Sequence, residues 1–194
     1  IIDEDQDITL ITSSGRSMRF NEEEVRPMGR VSTGVKGIGL REKDEVVDMV
    51  VVSSPDSQLM TICENGYGKR TNQDEYPRKH RGGVGVIDIK TTDRNGPVVA
   101  CKEVMGDDEV MIVTQDGVLI RTEVGGISTV GRNTQGVRVI NLGDGDRVID
   151  MTRVPKSDDE PEVDEAVSEE GEGAANGASE GAAEGVQTPS GESE

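Results

Sequence analysis

The sequence predicts an all-β fold of repeated four-stranded blades, and three observations carry that prediction. The hairpin signals Ser14-Gly15, Asn65-Gly66 and Asp116-Gly117 recur at intervals of 51 residues. Each follows a short apolar run, at 8–11, 59–62 and 110–113, and an Asn-Gly or Asp-Gly pair after such a run marks a tight hairpin whose central residues need positive φ. No stretch keeps a 3.6-residue apolar period long enough for a helix.

The elements of one unit follow in order. The apolar run is the first strand, and the turn leads to a second, as in 118–121, which carries Arg19, Arg70 or Arg121 four residues after the glycine. A polar loop holding Arg30, Arg81 or Arg132 comes next. A third strand is expected from the repeated Gly34, Gly85 and Gly136, running from Val35 to Leu40 or its equivalents. The turns 41–45, 92–96 and 143–146 then lead into a fourth strand such as 46–52, aligned through Val47, Val98 and Ile149. The repeats span about 5–55, 56–106 and 107–155. A uniform 51-residue step puts Cys63 in the place of Thr12 and Thr114, Cys101 in that of Val50 and Thr152, and makes Met49, Ala100 and Met151 one set of core-filling positions.

Blades of this length usually close rings of four to eight. Three cannot close one and leave strand edges open, so further blades are expected upstream, in keeping with a first residue that is Ile rather than Met. A WD40 propeller is excluded because there is no Trp, and a kelch reading fails because Gly82-Gly83 and Gly125-Gly126 do not keep the 51-residue step.

The net charge of −18 over 194 residues argues at first against nucleic acid, whose phosphates reward Lys and Arg. Its placement removes that argument. Residues 156–194 hold 13 acids against Lys156 alone, a net of −12, and are too polar to fold; a disordered acidic tail is expected, either solubilising or competing with nucleic acid for the basic face. Residues 1–155 carry only −6. No run approaches the roughly 18 apolar residues of a membrane span, and no signal peptide is expected. Cys63 and Cys101, without a CxxC pair or histidine cluster, predict neither a metal site nor a disulfide framework and suit a reducing cytoplasm. His80 has no nucleophile framework, Gly82-Gly83-Val84-Gly85 lacks the GK[ST] of a phosphate loop, and Tyr67 flanks a hairpin turn. No catalytic, cofactor or metal site is expected.

The segments Glu64-Asn65-Gly66-Tyr67-Gly68-Lys69-Arg70-Thr71, Val25-Arg26-Pro27-Met28-Gly29-Arg30, Gly85-Val86-Ile87-Asp88-Ile89-Lys90 and Val130-Gly131-Arg132-Asn133-Thr134-Gln135-Gly136-Val137 resemble the repeats of the C-terminal domain of the DNA gyrase A subunit. The resemblance covers residues 1–155. It implies the last three blades and tail of a six-bladed β-pinwheel, a propeller variant that exchanges strands between blades and wraps duplex DNA around its rim. The family's basic box, QRRGGKG, has here only the degenerate counterpart His80-Arg81-Gly82-Gly83-Val84-Gly85-Val86, so the box itself is expected upstream. By the same resemblance the parent is a cytoplasmic, nucleoid-associated type II topoisomerase of A2B2 composition. It would introduce negative supercoils with ATP and Mg handled on other domains or on the gyrase B partner, and its catalytic tyrosine lies outside this chain.

For such a rim the candidate DNA contacts are the loop arginines Arg30, Arg81 and Arg132, joined by Lys36, Arg138, Lys69, Arg70, Arg78 and Lys79. One guanidinium per blade would set donors to phosphate at regular steps along a duplex. For Arg19, Arg70 and Arg121, on strands, structural pairing and DNA contact stay equally open; the loop arginines could instead pair with Asp48 or Asp150. Two alternatives remain: the corresponding domain of the topoisomerase IV A-type subunit, and a propeller-like protein-interaction domain whose loop arginines would face acidic neighbours inside the fold.

Overall fold

The computed structural model describes residues 5–156, so the tail beyond Lys156 lies outside the described residues. The first repeat contributes β1 (Asp7–Thr12), β2 (Arg16–Asn21) and β3 (Val46–Val52); the second β4 (Gln58–Cys63), β5 (Tyr67–Asn72), β6 (Val86–Ile87) and β7 (Val98–Val104). The third contributes β8 (Glu109–Thr114), β9 (Leu119–Glu123), β10 (Val137–Arg138) and β11 (Val148–Val154). Single 3-10 turns at Glu22–Glu24, Gln73–Glu75 and Val124–Gly126 end each second strand. All pairings of these strands are antiparallel, and positive φ at Gly15, Gly66 and Gly117 supplies the tight turns between first and second strands.

The sheets run β3-β1-β2-β6, β10-β5-β4-β7 and β11-β8-β9. Each third strand therefore leaves its own repeat and completes the sheet of the one before: Ser17 pairs with Val86 and Arg16 with Ile87, and one repeat later Gly68 pairs with Val137 and Tyr67 with Arg138. These exchanged strands are two residues long. The third strand expected over 35–40 does not form in the first repeat, because its partner would be the second strand of a preceding repeat, and none stands among the described residues.

The blades pack face to face. Ile11, Leu59, Cys63, Tyr76, Ile89 and Cys101 are buried between the first and second; Met60, Ile62, Val110, Ile112, Ile140 and Met151 between the second and third. The innermost strands β3, β7 and β11 pack in succession. At roughly 25 cal/mol per Å² of apolar surface, these joints rather than any single sheet hold the array together.

The 51-residue step fails at the fourth strand. Leu10 pairs with Met49 and Ile112 with Met151, but Thr61, their counterpart, pairs with Cys101 and not Ala100. The cause is the preceding turn, closed by Asp44 N–H to Arg41 O and Asp146 N–H to Gly143 O in the outer repeats but by Gly96 N–H to Thr92 O in the second, one residue longer. The connection after β7 is one residue shorter and restores the step. Cys101 is thus equivalent to Met49 and Met151, and Val98 to Val46 and Val148, which corrects the uniform alignment. Met49 is not core filling either: it is 53% exposed where Cys101 and Met151 are at 0%, since no blade among the described residues covers that face of the first.

Candidate nucleic-acid interface

The strand arginines of the first two repeats are clamps between blades. Arg19 donates from Nε to Asp7 at 2.7 Å within its sheet, and from Nη1 to the carbonyls of Gln73 and Tyr76 in the next repeat. Arg70 donates to Gln58 Oε1 and Ile127 O in the corresponding places, and to Gly125 O one residue beyond the counterpart of Gln73. Arg121 pairs with Glu109 on the last sheet. For Arg70 structural pairing is seen: Nε, Nη1 and Nη2 each donate to a protein oxygen.

Lys69 also departs from expectation. Its side chain is fully buried, with Nζ 2.7 Å from Thr71 Oγ1, 3.1 Å from Gly131 O, 3.3 Å from Arg132 O and 3.8 Å from Asp88. Burial holds its ammonium below the ordinary lysine range, opposed by the charge of Asp88. Asp88, itself buried, accepts from Thr61 and from the Tyr76 hydroxyl. Lys69 is an internal lock between repeats, out of reach of a phosphate.

Two of the loop arginines, Arg81 and Arg132, share a geometry in their backbone N–H and Nη1 contacts. Arg81 donates its backbone N–H to Glu24 at 3.0 Å, Nε to Glu24 O at 2.9 Å and Nη1 to Lys36 O at 3.0 Å. Arg132 donates its N–H to Glu75 at 3.1 Å and Nη1 to Ile87 O at 2.9 Å, and lies over the Tyr76 ring. Both are half-buried, and no ion pair among the described residues neutralises either guanidinium. Glu24 is instead 3.4 Å from the exposed His80 imidazole, and Asp48 is taken by Lys102 at 2.6 Å. Arg30, Lys36 and Lys79 are exposed; Arg78, exposed as well, pairs with Asp7 at 2.9 Å.

A second line of cations lies at the hairpin ends. Lys43 and Arg94 occupy equivalent turns, and Lys90 and Arg138 flank the second; all four are exposed and outside any ion pair among the described residues. Arg138 on β10 donates from Nη2 to the Tyr67 hydroxyl at 2.7 Å.

A family model described as the DNA gyrase C-terminal domain, beta-propeller, matches residues 6–53, 57–104 and 108–155. The chain belongs to this family. The DNA gyrase A subunit of Salmonella typhimurium is 44% identical over 158 residues, 81% of this chain and 18% of that protein. Its counterpart in Staphylococcus aureus strain MRSA252 is 46% identical over 170 residues, 86% of this chain and 19% of that protein. The chain thus spans about a fifth of the curated relatives it matches. A solved DNA gyrase A C-terminal domain superposes with a TM-score of 0.74 at 29% identity, covering 79% of this chain and 52% of that one. The C-terminal domain of DNA topoisomerase IV gives the same TM-score at 24% identity, covering 78% and 47%, a likeness of fold.

Within this gyrase-family array the structure leaves Arg30, Lys36, Arg81, Arg132 and Arg138 as cations without carboxylate partners among the described residues, places Arg70 at a blade joint on protein oxygens, and withdraws the buried Lys69 from the candidate set. Sequence reasoning missed Lys43, Lys90 and Arg94. The first and last stand 51 residues apart in the turn before the fourth strand, a step that could have found them.

Proposed function

We propose that this chain binds duplex DNA along the edge of its blades, as the DNA-wrapping part of a gyrase A protein within a supercoiling A2B2 enzyme. Membership of the gyrase C-terminal family supports the reading, and one observation carries it. Cationic side chains outside any ion pair among the described residues recur at the same sequence place in successive repeats, at Arg30, Arg81 and Arg132 and again at Lys43 and Arg94. Smooth bending of 20–30 bp by 40–90° costs on the order of 1–6 kcal/mol, and evenly repeated phosphate contacts are the way a rigid array offsets it. With few aromatics and no base-reading element among the described residues, the binding should be to duplex and largely indifferent to sequence.

The protein-interaction alternative is less well supported, since the Arg81 and Arg132 guanidiniums bond main-chain carbonyls and form no ion pair among the described residues. ATP and Mg chemistry belongs on this reading to other parts of the enzyme, in the cytoplasm. Fluorescence anisotropy of a labelled duplex of about 40 bp across roughly 50–300 mM NaCl tests the proposal. Binding should weaken with salt at a slope of about −0.9 per phosphate neutralised, and Arg30→Glu with Lys36→Glu should weaken it further. Absence of duplex binding at the lowest salt would overturn it.

A further inference from the structure

Tyr67, Arg94 and Arg138 form a cluster that neither the clamps nor the internal lock uses. Tyr67 opens β5; Arg94 sits in the long turn before β7; Arg138 belongs to β10, the strand delivered from the third repeat and paired in register with Tyr67. The Arg94 guanidinium lies 4.7 Å from the Tyr67 ring centroid and that of Arg138 5.2 Å from it, so the two charges are no more than about 10 Å apart. They border a cleft of about 280 Å³ whose one lining carboxylate among the described residues, Asp146, already accepts the backbone N–H groups of Asp116 and Arg147. Two cations held this close repel one another, and the tyrosine ring and oxygen hold them in place.

The cluster exists only where two repeats have joined. In the first blade the same places carry Arg16, Lys43 and Ile87, which offers no aromatic platform, and the last blade has Val118 and, among the described residues, no exchanged strand.

Resting on the duplex-binding reading above, we propose that Arg94 and Arg138, oriented by Tyr67, form a two-pronged clip for a backbone phosphodiester of duplex DNA. The forked donors of the two guanidiniums match phosphate oxygens, and successive phosphates on a strand advance only about 3.4 Å along the axis, so one or two fit between the prongs. Tyr67 acts as a positioning residue: its hydroxyl accepts from Arg138 and its face carries Arg94, leaving other guanidinium donors for the ligand. Base stacking is not its role, because the ring is buried and covered.

The protein supplies its own reporter. It has two tyrosines; hydrogen bonds from Arg94 and Arg138 hold Tyr67 below the ordinary phenol value, whereas burial and Asp88 push Tyr76 well above it. Tyrosine-selective 13C NMR between about pH 8 and 10.5 therefore resolves Tyr67 alone. Saturating duplex should raise the titration midpoint of Tyr67, because a bound phosphate offsets the two cations that favour the phenolate. Arg94→Gln and Arg138→Gln should each weaken duplex binding about five-fold at roughly 100 mM NaCl and reduce the salt slope by about one, and Tyr67→Phe should weaken it about two-fold with the slope unchanged. An unmoved Tyr67 midpoint in a wild-type chain that binds duplex would overturn the clip while leaving the duplex-binding reading intact. No duplex binding by the wild type would instead overturn both. The wild-type titration needs no variant, so a misfolded substitution does not blunt the test.

Discussion

The Arg70 guanidinium donates from Nε to the carbonyl oxygen of Ile127, 57 residues further along the chain, at 2.7 Å. Arg19 makes the same 57-residue reach to Tyr76 O at 3.2 Å. The third member, Arg121, pairs with Glu109 in its own sheet, and no further repeat stands among the described residues for it to reach. Removing Arg70 should therefore strip donors from carbonyls at the blade joint, while removing Arg121 should mainly lose a surface pair. Arg70→Ala is expected to lower unfolding stability by about 1–3 kcal/mol and Arg121→Ala by about 1 kcal/mol or less, measured by urea denaturation. Equal losses would contradict the clamp.

Strand exchange makes a second contrast. Gly85 has φ +69°, and a Cβ there would lie 2.2 Å from Ser17 O in the neighbouring repeat; Gly34, with φ +78°, would meet nothing within 4 Å. Both substitutions force a side chain into left-handed backbone, at about 1–2 kcal/mol. Only Gly85→Ala also pushes β6 off β2. It should cost visibly more stability than Gly34→Ala, read from thermal midpoints at matched concentration, and its excess should track loss of amide protection at Val86.

That contrast shows where the sequence is informative. Gly34, Gly85 and Gly136 share one motif, and their repetition reveals the blades because each backbone needs the same turn. The sequence alone does not say which sheet a strand joins: Val86 pairs with Ser17 rather than with β4 or β5, a choice made by the packing of one blade on the next. The single-residue slip before β7 hid for a related reason. It is cancelled after Val104, so the flanking glycines and arginines keep their step while Cys101 changes places with Ala100. Lys69 looked like a surface cation because Lys-Arg pairs usually are; its burial depends on Asp88, a charge 19 residues away that occupies the place of Gly37 and Val139 in the other repeats.

The internal lock should behave as a coupled unit. Lys69→Met leaves Asp88 buried without its cation and frees the carbonyls of Gly131 and Arg132, with an expected loss of about 3–5 kcal/mol. Asp88→Asn keeps one accepting oxygen for Thr61 or Tyr76, turns its amide N–H toward the other hydroxyl, and strands the ammonium. The double variant should be less destabilised than the sum of the two by at least about 1 kcal/mol. Duplex affinity at a temperature where Lys69→Met stays folded should be unchanged, since Nζ contacts only protein; a drop in salt slope would return Lys69 to the DNA-binding set.

Alkaline pH should weaken the fold through groups that the blade joints keep neutral. Burial pushes the Cys63 thiol from 9.0 up to about 12, with Asp88 adding to the rise, and burial likewise pushes Cys101 and Tyr76 well above their ordinary values. A folded-state value above the unfolded one means the native chain holds protons that the unfolded chain releases. The Cys63 contribution is thus complete below about pH 9 and falls as pH rises toward about 12, at up to about 1.4 kcal/mol per pH unit. Lys69 acts in the opposite sense, because its lowered value makes the unfolded chain bind more protons and its contribution grows with pH. Tyr67, also held below its ordinary value, acts with Lys69, but Cys63, Cys101 and Tyr76 are raised far enough to outweigh these two, so urea midpoints should fall between about pH 9 and 11. Cys63→Ala, although less stable at neutral pH, should show a shallower decline, and a parallel decline in the two proteins would sink the assignment.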